Sequence, residues 1–383
     1  MLLLCTVCLQ KRNGEYLMKI GIITYHAAKN YGAILQCCAL QNILSRNPAC
    51  DDVRVIHYTP EVFNTYFPNP RKLWEIKSAK TKLFYLLKWL LRKDQTEKES
   101  RKFEKLESFI NTKQNLTREL GKTDLAEMND EFDVFVTGSD QVWNLEMTDR
   151  DTAFLLDFAK KKKISYAAST KLSALTESDV NLLKTHLPSF SHISVREEDV
   201  CQYLTGMGMN AQCDVDPTLL AERSMWDELI QETNPGLSDY VLIYYVNKPD
   251  KLVEKAFEYA QERGLRVISL NRLKTSHEYL DFSDASIEEF IYLIKNAACV
   301  FTTSFHGFAF SITYNTNFFF EVPENSANNN QRLLDLARKL GVEGQSLESN
   351  ISLETDISWD TVNTNLKALR DASIRRLYGY ILN

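Results

Sequence analysis

The stretch from Cys299 to Ile312, with the sequence CVFTTSFHGFAFSI, constrains the fold more than any other part of the chain. Residues 299–303 are apolar or β-branched, and they are few enough to form one buried strand. Ser304 and Gly307 then lead into a predicted helix, whose first N–H groups lack partners and attract anions. Because His306 lies at this junction, the pattern predicts either a ligand-binding histidine or one that merely caps the helix.

The same strand-to-helix pattern occurs three more times along the chain. A strand over 19–24 precedes a helix that begins near Asn30-Tyr31-Gly32, a strand over 131–137 precedes Gly138-Ser139-Asp140-Gln141, and a strand from Ile193 ends at Arg196. Alternating strands and helices predict parallel, doubly wound sheets, which bind ligands at the carboxyl ends of their strands. We therefore predict an α/β protein with two Rossmann-like domains that face each other across a cleft.

The composition limits the class of protein. With 383 residues, of which 44% are hydrophobic and 25% charged, the chain is typical of a globular protein with two domains, or three. Its formal charge of −6 argues against a general nucleic-acid binder. Eight cysteines without a disulfide-like spacing indicate buried thiols in a reducing compartment, and no apolar run is long enough for a transmembrane helix. We expect a cytoplasmic protein.

The domain boundaries follow from where the patterns begin and end. We predict that residues 1–18 are a non-structural N-terminal extension, because the first strand begins at Lys19. The first domain is predicted over 19–222 and the second, which carries the motif from Ser304 to Gly307, over 223–383. Within the extension Cys5 and Cys8 form a CxxC, but no second pair follows at zinc-site spacing, so we predict no metal site.

A basic segment interrupts the first domain. From Arg71 to Lys102 the chain has eleven Lys and Arg residues against four Asp and Glu residues, although the whole chain is acidic. Residues 82–93 have the composition of a basic amphipathic helix, which is compatible with peripheral contact between 71–102 and the anionic inner face of a membrane. The other interpretation, which we favour, is a helical insertion near 71–112 whose apolar side packs on its own domain.

Six short motifs resemble those of the polysaccharide pyruvyl transferase family, and they occur in order over about residues 19–340. The resemblance implies a two-domain fold like that of the GT-B glycosyltransferases. It also implies that pyruvate is transferred from phosphoenolpyruvate to two hydroxyls of a surface glycan or lipid-linked saccharide, with no cofactor. The motifs are Asn30-Tyr31-Gly32, Gly138-Ser-Asp-Gln-Val-Trp143, Tyr166-Ala-Ala-Ser169, Ser194-Val-Arg-Glu197, Asp216-Pro-Thr218 and Ser304-Phe-His-Gly307.

The resemblance also implies roles for individual residues. His306 matches the histidine of the family motif and is the expected catalytic acid, since histidine titrates in the range that this chemistry needs. Asp140 is either the base that accepts a sugar hydroxyl proton or part of an Asx turn. The donor-anion residues are predicted to be Arg196, Ser304, Gly307, Arg332, Asn30 and Gly32. The acceptor-binding residues are predicted to be Gly138, Ser139, Gln141 and Trp143.

One departure from the family pattern affects the donor. Members of the family often have Arg-Leu-His-Gly where this chain has Ser304-Phe305-His306-Gly307, so a cation expected to bind the donor is absent from that position. Arg196, Arg332 or Lys29 are candidates to replace it. Two alternatives therefore remain open: a GT-B-like glycosyltransferase that uses a nucleotide sugar, and a non-catalytic sugar-phosphate binding protein.

Overall fold

The computed structural model describes residues 17–60, 62–63, 79–80, 82–84, 93–323, 331–349, 352–354 and 356–382. Most of the predicted N-terminal extension, including Cys5 and Cys8, lies outside the described residues. The same is true of most of the basic segment from 71 to 92, including the greater part of the amphipathic helix predicted over 82–93.

The first domain has a parallel sheet in the order β2-β1-β3-β4. A further parallel pair, β5 and β6, continues it through bridges from Ile164 to His192 and from Ala168 to Val195. The strands are β1 Met18–Ile23, β2 Cys50–Val55, β3 Val134–Thr137, β4 Lys162–Ser165, β5 Ile193–Val195 and β6 Ala211–Cys213. The helices are α1 Tyr31–Ser45, α2 Lys93–Lys113, α3 Glu177–His186, α4 Glu198–Gly206, α5 Pro217–Leu220 and α6 Arg223–Leu229.

The second domain has a parallel sheet in the order β11-β10-β7-β8-β9. Two parallel α/β units, as predicted from the alternation of strands and helices, are therefore confirmed. The strands are β7 Tyr240–Tyr244, β8 Arg266–Ser269, β9 Leu280–Asp281, β10 Cys299–Thr302 and β11 Phe318–Phe320. The helices are α7 Leu252–Arg263, α8 Ile287–Lys295, α9 Phe305–Tyr314, α10 Gln331–Leu340 and α11 Trp359–Leu382.

The two domains share one hydrophobic core. Buried residues of β1 and α1, such as Ile22 and Ile34, belong to the same cluster as Leu242 of β7 and Phe290 of α8. Tyr31, the first residue of α1, stacks on Phe290 with 4.6 Å between ring centroids. Because apolar burial is the dominant favourable term in folding, this core holds the carboxyl ends of both sheets next to each other.

The last helix returns to the first domain. Lys162 Nζ donates to the carbonyl of Ile381 at 3.1 Å, and Tyr378 Oη donates to the carbonyl of Ile43 at 3.1 Å. The ring of Tyr380 also stacks on His192 with 4.6 Å between centroids. Helix α11, which lies within the domain predicted over 223–383, therefore packs against the first sheet.

Helix α2, which contains the described end of the basic segment, connects the two domains. Its cations form three ion pairs of 2.8 Å with carboxylates of the second domain: Lys98–Asp281, Arg101–Asp284 and Lys105–Glu289. On the same helix, Lys102 Nζ lies 4.1 Å from the centroid of the Tyr31 ring. None of the helices in the described part of the chain is long and apolar enough to cross a bilayer.

Candidate active site

Asp216 is the centre of a polar cluster between the two domains. It caps the first turn of α5 and is fully buried, and its Oδ1 accepts from Thr218 N at 2.9 Å and Thr218 Oγ1 at 2.7 Å. Its Oδ2 accepts from Arg196 Nη1 at 2.8 Å and Ser139 Oγ at 3.3 Å. Burial alone would raise the pKa of the Asp216 carboxyl, but His306 and then Arg196 hold that pKa well below its usual range. Asp216 is therefore a fixed, ionised carboxylate.

Arg196 follows β5 and reaches this carboxylate from the first domain. Its side chain is 2% exposed, and its Nε donates to Glu197 Oε1 at 3.2 Å. Its Nη2 lies 3.9 Å from Asp140 Oδ1 and has no hydrogen-bond partner among the described residues. Burial would lower the pKa of Arg196, but the carboxylates of Glu197 and Asp216 raise it above its ordinary value. The guanidinium is thus permanently charged, with one donor available to a ligand.

His306 approaches the same carboxylate from the second domain. It lies in the first turn of α9, and its Nε2 is 3.7 Å from Asp216 Oδ2, which is beyond hydrogen-bond distance. This Nε2 is buried and has no hydrogen-bond partner in the described part of the chain. A Cβ atom added to Gly32, at the start of α1, would lie 1.9 Å from His306 Nδ1, so only glycine leaves room for the ring. His306 therefore packs against a helix start of the other domain.

Arg332 adds a second guanidinium to the cluster, on a side chain that is partly buried. It lies in the first turn of α10, and its Nε is buried without a hydrogen-bond partner in the residues that the structure describes. Its Cζ lies 5.5 Å from the centroid of the Phe305 ring, and Arg196 Cζ lies 5.0 Å from the same centroid. Burial, followed by the charge of Arg196, lowers the pKa of Arg332 to about 10.

Three of the predicted donor residues act as helix caps or spacers in this structure. Asn30 Oδ1 accepts from Gly32 N at 2.8 Å, and Ser304 Oγ accepts from Gly307 N at 3.3 Å. A Cβ atom on Gly307 would lie 2.4 Å from Thr302 Oγ1, so this position also needs glycine. One N–H group at each of these two helix starts, that of Gly32 and that of Gly307, is thus bonded by the side chain that caps the helix.

Asp140 lies beside Arg196 with a left-handed backbone, φ = 71°. Its Oδ1 accepts from the adjacent Gln141 N at 2.8 Å, and its side chain is 17% exposed. Both predicted roles remain compatible with this position, because the carboxylate takes part in a local turn and also reaches the cluster.

The predicted acceptor residues are mostly buried. Gly138 has φ = 112°, and an added Cβ atom would lie 2.4 Å from the carbonyl oxygen of Tyr166. Ser139 is fully buried and donates to Ala167 O and Asp216. Trp143 is also fully buried, in the core of the first domain, and its Nε1 donates to Phe154 O at 3.2 Å. Of the four, only Gln141 keeps a partly exposed side chain.

Sequence reasoning did not assign Asp216, Glu197 or Phe305 to the site. The signal for Asp216 was its place in the motif Asp216-Pro-Thr218, to which we assigned no role in the site. Glu197 Oε1 accepts from Ser169 Oγ at 2.6 Å, and its Oε2 is buried without a hydrogen-bond partner among the described residues. Such contacts join residues far apart in the chain, so spacing alone does not reveal them.

Solved structures show the fold at low sequence identity. A Listeria monocytogenes protein assigned as UDP-N-acetylglucosamine 2-epimerase has a TM-score of 0.52 and 9% identity, and the match covers 95% of this chain and 96% of that one. The Methanocaldococcus jannaschii UDP-GlcNAc 2-epimerase, solved with UDP-GlcNAc and UDP, has a TM-score of 0.44 and 14% identity, with coverage of 93% and 99%. The Listeria match confirms the predicted GT-B-type fold.

The family relationship comes from the sequence. No curated protein matches the chain. Residues 30–322, however, match the model of the polysaccharide pyruvyl transferase family, and this range includes Gly32, Asp140, Arg196, Asp216 and His306. Since the match covers well over half of the 383 residues, the chain belongs to the polysaccharide pyruvyl transferase family.

Proposed function

We propose that this protein transfers pyruvate from phosphoenolpyruvate to two hydroxyls of a surface glycan, as a cyclic ketal, at the cluster around Asp216. One observation carries the proposal. Arg196 and His306 come from different domains and approach the same buried carboxylate, Asp216, through Arg196 Nη1 and His306 Nε2. Arg196 Nη2 and His306 Nε2 have no hydrogen-bond partners within the described residues. Buried polar atoms are rarely left without partners, so a bound ligand is the natural partner for these two.

The cations of the cluster suit the proposed donor. Phosphoenolpyruvate has about three negative charges, and charge-assisted hydrogen bonds from arginine are strong ligands for carboxylate and phosphate. Arg196 Nη2 and Arg332 Nε both have hydrogen-bonding capacity that no described residue uses. A protonated His306 would supply a third positive charge beside them.

The proposed reaction needs one proton donor and one proton acceptor. The first sugar hydroxyl adds to C2 of phosphoenolpyruvate while C3 takes a proton, which turns the methylene into a methyl group. The C2–O bond to phosphate then breaks, the second hydroxyl bonds to C2, and its proton leaves with the phosphate. His306 is the proposed proton donor to C3, and Asp140 the proposed acceptor of the first hydroxyl proton.

The test is to incubate the full-length protein with phosphoenolpyruvate and a panel of glycan and lipid-linked acceptors. We expect phosphate release that requires both donor and acceptor, with a pyruvate ketal found on the acceptor by mass spectrometry. UDP- and ADP-sugars serve as the comparison donors. Glycosyl transfer from one of these would replace the proposal with the nucleotide-sugar alternative. Binding of sugar phosphates without any turnover would favour the non-catalytic alternative.

We also infer that the protein acts in the cytoplasm, at the inner membrane face where lipid-linked acceptors are held. Because Lys98, Arg101 and Lys105 pair with the second domain, electrostatic contact with the membrane would depend on cations of 71–92. Binding to anionic vesicles that weakens as salt rises would support this inference. Equal partitioning onto neutral and anionic vesicles would remove it.

A further inference from the structure

We propose that Phe305 and Arg332 join Arg196 in a two-guanidinium anion receptor that the two domains form together. Its ligand is a carboxylate or phosphate group, and Phe305 is the residue that positions the two cations. The proposal rests on the proposed function in one respect, because it assigns the donor subsite of the same cleft.

The ring of Phe305 contacts both guanidinium groups. Arg196 Cζ lies 5.0 Å and Arg332 Cζ 5.5 Å from the ring centroid, both within the range of about 6 Å for cation–π attraction. Phe305 is 4% exposed, so this attraction is not screened by bulk water. The negative face of the ring offsets part of the repulsion between two like charges, and the ring thereby fixes the spacing of the two arginines.

The two guanidinium groups differ in how much of their charge the protein compensates. Arg196 is paired with Asp216 and Glu197, and only its Nη2 lacks a hydrogen-bond partner in the described chain. Arg332 makes no ion pair with any residue in the described ranges, although Glu197, Asp140 and Asp216 act on it from a distance. A partly buried cation without a direct partner is costly, so an anion bound by the two arginines would relieve that cost.

The receptor needs both domains. Arg196 belongs to the first domain, whereas Phe305 and Arg332 belong to α9 and α10 of the second. Ser304 precedes Phe305 and caps α9 with its hydroxyl, so it brings no charge to the site. In this chain Arg332 supplies the second cation. Because Phe305 contacts both guanidinium groups, the position of the Arg332 guanidinium depends on that of Arg196.

The experiment measures binding of phosphoenolpyruvate and of inorganic phosphate to the full chain by calorimetry. Arg332→Gln and Arg196→Gln should each weaken phosphoenolpyruvate binding by about 10-fold or more, the value of a charge-assisted contact. In the double variant, the fold-loss in phosphoenolpyruvate affinity should be smaller than the product of the two single fold-losses, because both arginines bind the same anion. Phe305→Leu keeps an apolar side chain but removes the face of the aromatic ring, and it should weaken phosphoenolpyruvate binding by about 2- to 5-fold.

Arg338→Gln is the matched control. Arg338 lies on the same helix as Arg332, its side chain is 63% exposed, and it pairs with Asp335 at 3.2 Å. This variant should bind like the wild type. Thermal unfolding without anion gives a second readout: Arg332→Gln should keep or raise the melting temperature, since it removes a partly buried cation that has no ion-pair partner among the described residues. A purely structural arginine would instead lower the melting temperature when replaced.

The outcomes separate the receptor from the proposed function. If the variants lose affinity for both phosphate and phosphoenolpyruvate, the receptor binds the phosphate end of the donor. If they lose affinity for phosphoenolpyruvate alone, it binds the carboxylate end. Either result supports the receptor. Wild-type affinity for both probes in Arg332→Gln and Phe305→Leu would overturn it, even if pyruvyl transfer is observed. Conversely, phosphate binding that depends on Arg332, in a protein that never turns over phosphoenolpyruvate, would leave the receptor standing and remove the proposed reaction.

Discussion

Two groups of cations lie at the domain boundary, and the protein uses them differently. On α2, Lys98, Arg101 and Lys105 are 30, 43 and 39% exposed, and each pairs with a carboxylate of the second domain at 2.8 Å. In the cleft, Arg196 is buried and Arg332 partly buried, and each has a buried nitrogen without a hydrogen-bond partner among the described residues. The first group joins the domains, and the second is available to a ligand. A local excess of positive charge therefore does not by itself locate the binding site.

Exposure decides what each group contributes to stability. Ion pairs between partly exposed side chains are worth about 0–1 kcal/mol each and are screened by salt. Buried cations without direct partners destabilise the free protein until an anion binds. The cations of the cleft should thus lower the stability of the free protein and increase its affinity for an anion. The cations of α2 should add a small, salt-dependent stability and should not affect that affinity.

The largest effect is expected where the two domains meet most tightly, at Gly32. Gly32→Ala would place a Cβ atom 1.9 Å from His306 Nδ1, so the imidazole must shift from its present position, in which Nε2 is 3.7 Å from Asp216 Oδ2. We expect kcat/KM for phosphate release to fall at least about 100-fold, the size of a misplaced catalytic group. Gly206→Ala is the control, because nothing lies within 4 Å of its added Cβ atom. Wild-type activity in Gly32→Ala would show that this contact does not position His306.

The second effect concerns how the buried histidine His26 makes the stability of the protein depend on pH. His26 is 1% exposed, and burial, followed by the charge of His57, lowers its pKa from 6.5 to about 4. Between these two values the unfolded chain binds more protons than the folded one, so stability rises with pH and is lost as pH falls from about 6.5 to 4. The loss from this group should approach about 3 kcal/mol.

Urea unfolding at several pH values checks the prediction for His26. His26→Gln should flatten the pH dependence over that window, while His277→Gln, at an exposed histidine, should leave it as in the wild type. If the two variants follow the same curve, His26 is not the source of the acid sensitivity.

The smallest effect concerns α2. Replacing Lys98, Arg101 and Lys105 together by glutamine should lower the free energy of unfolding by about 1–2 kcal/mol at low salt, and by less at high salt. Phosphoenolpyruvate affinity should stay within about 2-fold of the wild type, because these side chains are paired away from the cleft. A loss of affinity as large as that of Arg332→Gln would end the distinction between the two groups of cations.

Much of the fold could be predicted because its signals are local. The strand that ends before His306 was expected over 299–303 and is observed as Cys299–Thr302, and the helix expected to begin near Asn30-Tyr31-Gly32 begins at Tyr31. Strands β6 and β9 were not predicted, since two or three residues with little apolar character give no period to detect.

The candidate site was less accessible to sequence reasoning because its contacts join distant residues. Trp143 was predicted to bind the acceptor, yet its ring packs in the core of the first domain. The cations of α2 find their partners more than 180 residues away, at Asp281, Asp284 and Glu289. Neither the membrane-contact interpretation nor the helical insertion that we favoured predicted these ion pairs. The role of Asp216 in the site is likewise visible only in the structure, where Arg196 and His306 approach its carboxylate.

The most direct test of the account is the rate of phosphate release by His306→Gln, measured with phosphoenolpyruvate and an accepted glycan. Glutamine keeps a polar side chain of similar reach but cannot donate and accept the proton that the proposed reaction moves. We expect a folded protein that still binds phosphoenolpyruvate and whose kcat is about 10²- to 10⁴-fold below that of the wild type. Full turnover in His306→Gln would contradict the claim that the cleft around Asp216 is the reaction centre with His306 as its acid.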